Sequence, residues 1–206
     1  MKHLIFDFDC VLGDTYEAGI DIRMIINNIP TRDEAIIDLY KYFSQKPNHT
    51  RDHTLTSEEL QKSYEWIKRY GELLHKKGFS LFDDFINEIR NLENTNKAIV
   101  SSGSQIYLLP AIAKTDIEFT HILAYEDHHS KEEKIEIISR DWGVTISEIY
   151  YFTDSLADVF ELKDFIQEGK LIGVSWGYCS KEQLLSELAP ANILDFPSDL
   201  AKIVTR

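Results

Sequence analysis

Short apolar runs rich in β-branched and aromatic residues recur along this chain, and helix-patterned segments fill the gaps between them. The runs are HLIFDF (3–8), KAIVSS (97–102), HILAY (121–125), IYYFTD (149–154) and KLIGVSW (170–176), with a weaker sixth, NILDF, at 192–196. Between them lie DDFINEIRNL, KEEKIEIISRDW and SLADVFELKDFIQ. Strands alternating with helices predict an α/β domain built on a parallel sheet.

The alternation breaks once. From Thr15 to Phe79 no strand pattern occurs, and three helical segments take its place: EAGIDIRMIINNI, TRDEAIIDLYKYF and SEELQKSYEWIKRYGELLHKKG. Thr31 with Glu34, and Thr56 with Glu59, have the spacing of capping boxes at two of these helix starts. Residues 1–14 and 80–206 are therefore read as one α/β core, and 15–79 as an all-helical insertion. A chain of 206 residues has room for both.

Open parallel sheets bind ligands beyond the carboxyl ends of their strands, which singles out a few polar residues. The first run ends at Asp7 and Asp9, the second at Ser101 and Ser102, and the fourth at Asp154, with Asp158 one helical turn further on. After the third run, Lys131 opens a helix whose start carries Ser130 and Glu133 at capping-box spacing. Asp7 and Asp9, two residues apart in a strand, are expected to share a face.

Carboxylates gathered in this way repel and raise each other's pKa, and a divalent cation relieves that. Oxygen ligands suit Mg²⁺, which takes one or two carboxylates together with water and substrate phosphate. Asp7 and Asp154 are the expected ligands. Lys131, Ser101 and the amides of the Ser102-Gly103-Ser104 loop would then hold a phosphoryl dianion. Of Asp7 and Asp9, one carboxylate can attack phosphorus and the other can move protons.

These residues resemble the haloacid dehalogenase superfamily of phosphohydrolases in the order and spacing of four motifs: FDFDCVL, AIVSS, Lys131 in HSKEEKIEII, and YYFTDSLADV. The resemblance implies a Rossmann-like parallel-sheet core with helices on both faces and a helical cap of the C1 type. It implies Asp7 as nucleophile and Asp9 as general acid/base, with the Asp9 backbone carbonyl on the metal. Ser101, Ser102 and Lys131 would bind phosphate, Asp154 would bind Mg²⁺, and Asp158 would support the metal or Lys131. Two positions depart from the family pattern: Cys10 and Thr153 stand where glycine is usual.

Plainer readings apply elsewhere. Lys134, a turn beyond Lys131, is expected to face solvent. His49 and His53, and the adjacent His128 and His129, lack companions at zinc spacing and read as loop or surface residues. The aromatics Tyr40, Tyr42, Phe43, Tyr64, Trp66 and Tyr70 read mainly as helix packing.

A net charge of -13 argues against a nucleic-acid partner. Ten basic and ten acidic residues balance between 15 and 79, so the whole acidic excess lies in the core. No run of 18 apolar residues suggests a membrane span, no signal peptide is expected, and two cysteines make no disulfide framework. A cytoplasmic monomer or weak dimer is the expectation. The leading activity is Mg²⁺-dependent hydrolysis of a small phosphate ester. A phosphomutase gripping a second phosphate through Arg51 or Lys76-Lys77, a metal-free dehalogenase, and a non-catalytic phosphate binder are the alternatives.

Overall fold

The computed structural model describes residues 1–47, 50–52 and 55–204. Its sheet is built from β1 (Lys2–Phe6), β4 (Thr95–Val100), β5 (His121–Leu123), β6 (Ile149–Thr153), β7 (Leu171–Val174) and β8 (Ile193–Leu194). These pair in the order β5-β4-β1-β6-β7-β8, and every pairing is parallel. The intervening β2 (Gly13–Asp14) and β3 (Ser80–Leu81) form a separate antiparallel ribbon.

Both faces of the sheet are covered, which is why its strands read as continuous apolar runs. Leu4 and Phe6 point to one face. They pack with Phe85 and Ile89 of α4 (Asp83–Arg90), Leu108 and Ile112 of α5 (Gln105–Ile112), and Leu200 and Ile203 of α9 (Leu200–Val204). Ile5 points to the other face, toward Ile135 and Ile138 of α6 (Lys131–Trp142), Val159 of α7 (Leu156–Leu162) and Leu184 of α8 (Lys181–Leu184). At the centre, Phe6 lies opposite Phe152 in register and stacks on it at 4.7 Å. The fold is thus the expected Rossmann-like α/β sandwich.

The helical insertion contains α1 (Tyr16–Asn27), α2 (Arg32–Phe43) and α3 (Ser57–Lys77). It leaves the core at β2 and returns at β3, so the ribbon pairs its two ends: Gly13 opposes Leu81 and Asp14 opposes Ser80. Its own small core is Ile20, Ala35 and Leu39, with Tyr16, Phe43 and Tyr178 packed against it. Thr56 and Glu59 complete their capping box. Thr31 accepts from the Glu34 amide at 3.3 Å, which is half of one.

Three elements differ from the sequence reading. β1 stops at Phe6, so Asp7 and Asp9 lie in the turn beyond it and are not alternate residues of a strand. α7 ends at Leu162, five residues before the predicted stretch does. α5 was not anticipated: QIYLLPAI is apolar on all sides and carries Pro110, so it shows no amphipathic period. The histidine pair His49 and His53 lies outside the described residues.

Candidate active site

The turn after β1 sets the geometry. The Asp7 amide extends the ladder by bonding Phe152 O at 2.9 Å. The Phe8 carbonyl then accepts from the Leu12 and Gly13 amides, both at 2.9 Å, and curls the chain back on itself. Cys10 takes a left-handed backbone, φ 56°. That is the conformation for which glycine is ordinarily used, so the departure noted in the sequence falls on a position that demands unusual backbone. Its thiol is buried, 3.6 Å from the Thr15 hydroxyl.

Around this turn the other expected residues assemble. Lys131, fully buried at the start of α6, places Nζ 2.8 Å from Asp7 Oδ2 and 2.6 Å from Asp158 Oδ2. Asp158 Oδ2 also accepts from Thr153 Oγ1 at 2.7 Å, so the threonine that replaces the usual glycine has a partner. Burial acts to lower the Lys131 pKa, but the Asp158 and Asp7 charges more than reverse it and hold the ammonium well above its ordinary range. Burial acts against ionising Asp158 as well, yet Lys131 keeps its carboxyl below the usual value. Asp7 is pushed well above it, by burial first, with the charges of Asp158 and Asp154 adding. Asp154 therefore acts on Asp7 directly.

Asp154 follows β6 and is 1% exposed. Its Oδ2 accepts from the Tyr178 amide at 2.7 Å. The backbone at Gly177 lies so close that a Cβ there would collide with the carboxylate. Burial, with the Asp158 charge adding, raises Asp154 to about 7. Ser101 is fully buried after β4. Its Oγ accepts from the Gly103 amide at 2.9 Å, which leaves the hydroxyl proton free to donate. Ser102 is half-buried beside it.

Lys134 corrects the sequence reading. It is completely buried and does not face solvent. Its Nζ donates to Ser101 O at 2.6 Å and to Ala124 O at 3.3 Å, joining the ends of β4 and β5. Burial, with the Lys131 charge adding, lowers it to about 7. Two further groups escaped the sequence reading. Glu161 accepts from the Lys131 amide at 2.8 Å and so caps α6; burial raises it to about 7. Tyr107 donates to Asp9 Oδ2 at 2.5 Å. Glu161 sits at i+3 from Asp158, a spacing that points to one helix face; nothing in the α5 sequence singles out Tyr107.

Among the described residues, no group of three or more His, Cys, Asp or Glu side chains forms a self-sufficient metal cage. Mg²⁺ needs only one or two protein carboxylates. Asp7 and Asp154 offer buried carboxylate oxygens, and Asp9 Oδ1 is a buried oxygen with no hydrogen-bond partner among the described residues. The donor set therefore fits a hard cation.

The sequence matches the family model for haloacid dehalogenase-like hydrolases over residues 4–161. The chain belongs to that family. It is a hydrolase by membership, and the match takes in both strand-end acid pairs and Lys131. No curated protein sequence matches it. Solved structures share the fold over essentially their whole lengths. A hydrolase from Pseudomonas syringae is 17% identical with TM-score 0.69, covering 100% of this chain and 98% of its own. A predicted phosphatase from Clostridium acetobutylicum is 17% identical with TM-score 0.71, covering 99% and 98%. A predicted phosphoglycolate phosphatase from Haemophilus somnus is 15% identical with TM-score 0.70, covering 99% and 98%.

Proposed function

We propose that this haloacid dehalogenase-like hydrolase is a Mg²⁺-dependent phosphatase acting on a small phosphate monoester through a phosphorylated Asp7. The observation that carries the reading is the buried Lys131 ammonium bridging Asp7 and Asp158 beside Asp154. A cation so placed neutralises a dianion arriving at Asp7, and the hydroxyl of Ser101 with the amide of Ser102 supplies donors for its oxygens.

In this reading an Asp7 carboxylate oxygen attacks phosphorus. The bond from phosphorus to the ester oxygen breaks, and Asp9 delivers its proton to the departing alcohol. Asp9 then takes a proton from water, whose oxygen attacks phosphorus. The bond to Asp7 breaks, releasing inorganic phosphate and restoring the carboxylate. Asp7, Asp154 and the Asp9 backbone carbonyl would hold Mg²⁺, which supplies charge neutralisation at the phosphoryl oxygens. Asp158, expected as a metal ligand or as support for Lys131, is occupied with Lys131 and Thr153, which favours the supporting role.

The helical insertion 15–79 is read as a cap that excludes water from this chemistry. Two of the three candidate grips of the mutase alternative are engaged in ion pairs. Arg51 is bound to Glu133 and Glu136, and Lys77 to Asp21. The net charge of -13 disfavours nucleic acid as substrate, and no helix among the described residues is long and apolar enough to cross a membrane.

The test is p-nitrophenyl phosphate with Mg²⁺. Steady release of p-nitrophenol is expected, abolished by Asp7→Asn, stopped by EDTA and restored by Mg²⁺. Asp9→Asn is expected to slow turnover by ~10²–10⁴-fold. Turnover indifferent to chelation would overturn the Mg²⁺ requirement, and a folded protein inert on a broad panel of phosphorylated metabolites would make it a binder.

A further inference from the structure

We infer that Tyr107 is a positioning residue that occupies one oxygen of Asp9 so that the other is presented to the reacting ester; this rests on the phosphatase reading above. Tyr107 is fully buried in α5. Its hydroxyl donates to Asp9 Oδ2 at 2.5 Å. Asp9 Oδ1, by contrast, is buried with no hydrogen-bond partner among the described residues. The Thr15 hydroxyl also acts on this carboxylate, but Tyr107 is the group that anchors one of its oxygens at 2.5 Å and leaves the other for proton delivery in a fixed direction.

Two features show that the site is built around this bond. Gly103 gives it room: a Cβ there would strike the Tyr107 hydroxyl and come within 2.9 Å of Asp9 Oδ2. The phosphate loop is thus glycine at the point where the hydroxyl passes. The ring itself is walled in by Phe79 at 5.9 Å and 84°, Tyr70 at 6.4 Å and 70°, and Phe8 at 5.9 Å. A buried tyrosine hydroxyl needs some acceptor, and a backbone carbonyl would satisfy a purely structural one. Here the acceptor is a buried carboxylate in the turn that carries Asp7, reached across 98 residues of chain.

Leaving-group chemistry separates the two roles. Phenyl phosphate needs its departing oxygen protonated far more than p-nitrophenyl phosphate does. Tyr107→Phe is expected to lower kcat/KM, which reports only the steps up to alcohol release, by ~10-fold or more on phenyl phosphate and by less than ~3-fold on p-nitrophenyl phosphate, a fraction of the whole general-acid effect. The urea midpoint should hold. In an Asp9→Asn background the same substitution should change nothing further, because the two act as a unit. If Tyr107→Phe is not recovered folded, difluorotyrosine placed at position 107 keeps the ring and the hydroxyl but alters the donor, and should shift the ratio of the two rates; an unchanged ratio would overturn the role. Equal losses on both esters, full additivity with Asp9→Asn, or wild-type rates in folded Tyr107→Phe would overturn the role of Tyr107 alone. A wild-type protein inert on both esters, or active after Asp7→Asn, would overturn the phosphatase reading and this inference with it.

Discussion

Cys10 concentrates a conflict in one residue. It is an L-residue held at φ 56° directly after the paired acids, at a cost on the order of 1–3 kcal/mol. Its side chain returns part of that through burial. Cys10→Gly relieves the strain and forfeits the packing, so its urea midpoint should place stability within about 1 kcal/mol of the parent. Cys10→Val puts a β-branched side chain into the left-handed region and should lose about 2 kcal/mol or more. Glu161 carries a pH signature. Its folded pKa, about 7, lies above its ordinary 4.5, so the folded state holds the extra proton. That contribution is fully present below pH 4.5 and is lost as pH rises through 7. Glu161→Gln, which carries no titrating proton, should gain stability relative to the parent between pH 5 and pH 8, by an amount on the order of 2 kcal/mol. Urea midpoints at the two pH values measure it, and a constant difference would contradict the sign.

At the level of elements, α6 does two jobs with lysines three residues apart. Lys131 faces the acids, while Lys134 staples the carbonyl ends of β4 and β5. Lys134→Met should cost about 1–3 kcal/mol by leaving the Ser101 carbonyl unpaired, and should also weaken product inhibition by inorganic phosphate. Stability lost with phosphate binding intact would confine Lys134 to the scaffold. The start of α6 was legible because Ser130 and Glu133 advertise it, and the strands because two-sided burial leaves uninterrupted apolar runs. Lys134 was not, since a lysine beside acidic neighbours reads as solvated surface until two carbonyls are found above it. α5 hid Tyr107 for a related reason: a segment apolar on every side has no periodicity to betray which ring is turned toward Asp9. The β2–β3 ribbon, two residues a strand, is too short for any pattern. Asp7, Asp9, Ser101, Lys131 and Asp154 were legible because chain order and strand ends alone put them on one sheet edge.

Across the whole molecule, residues 50–52 of the insertion reach the core. The Arg51 amide bonds Glu132 at 2.9 Å, its guanidinium pairs with Glu133 at 3.0 Å and Glu136 at 2.9 Å, and it lies over the Phe165 ring at 5.1 Å. Such half-exposed pairs add little to global stability. Arg51→Gln should shift the urea midpoint by less than about 1 kcal/mol while speeding hydrogen exchange at residues 50–52, a local opening apart from global unfolding. Unchanged exchange there would mean that the contact fastens nothing.

The ribbon that joins Gly13 to Leu81 has a longer reach than its size suggests. Because the two ends of the insertion are already hydrogen-bonded to each other, everything between them is a closed loop whose closure cost grows only slowly with length. A lineage could lengthen, trim or exchange that cassette for another without moving a single rung of the sheet. The insertion can therefore change while the sheet edge that carries Asp7, Ser101 and Asp154 stays as it is.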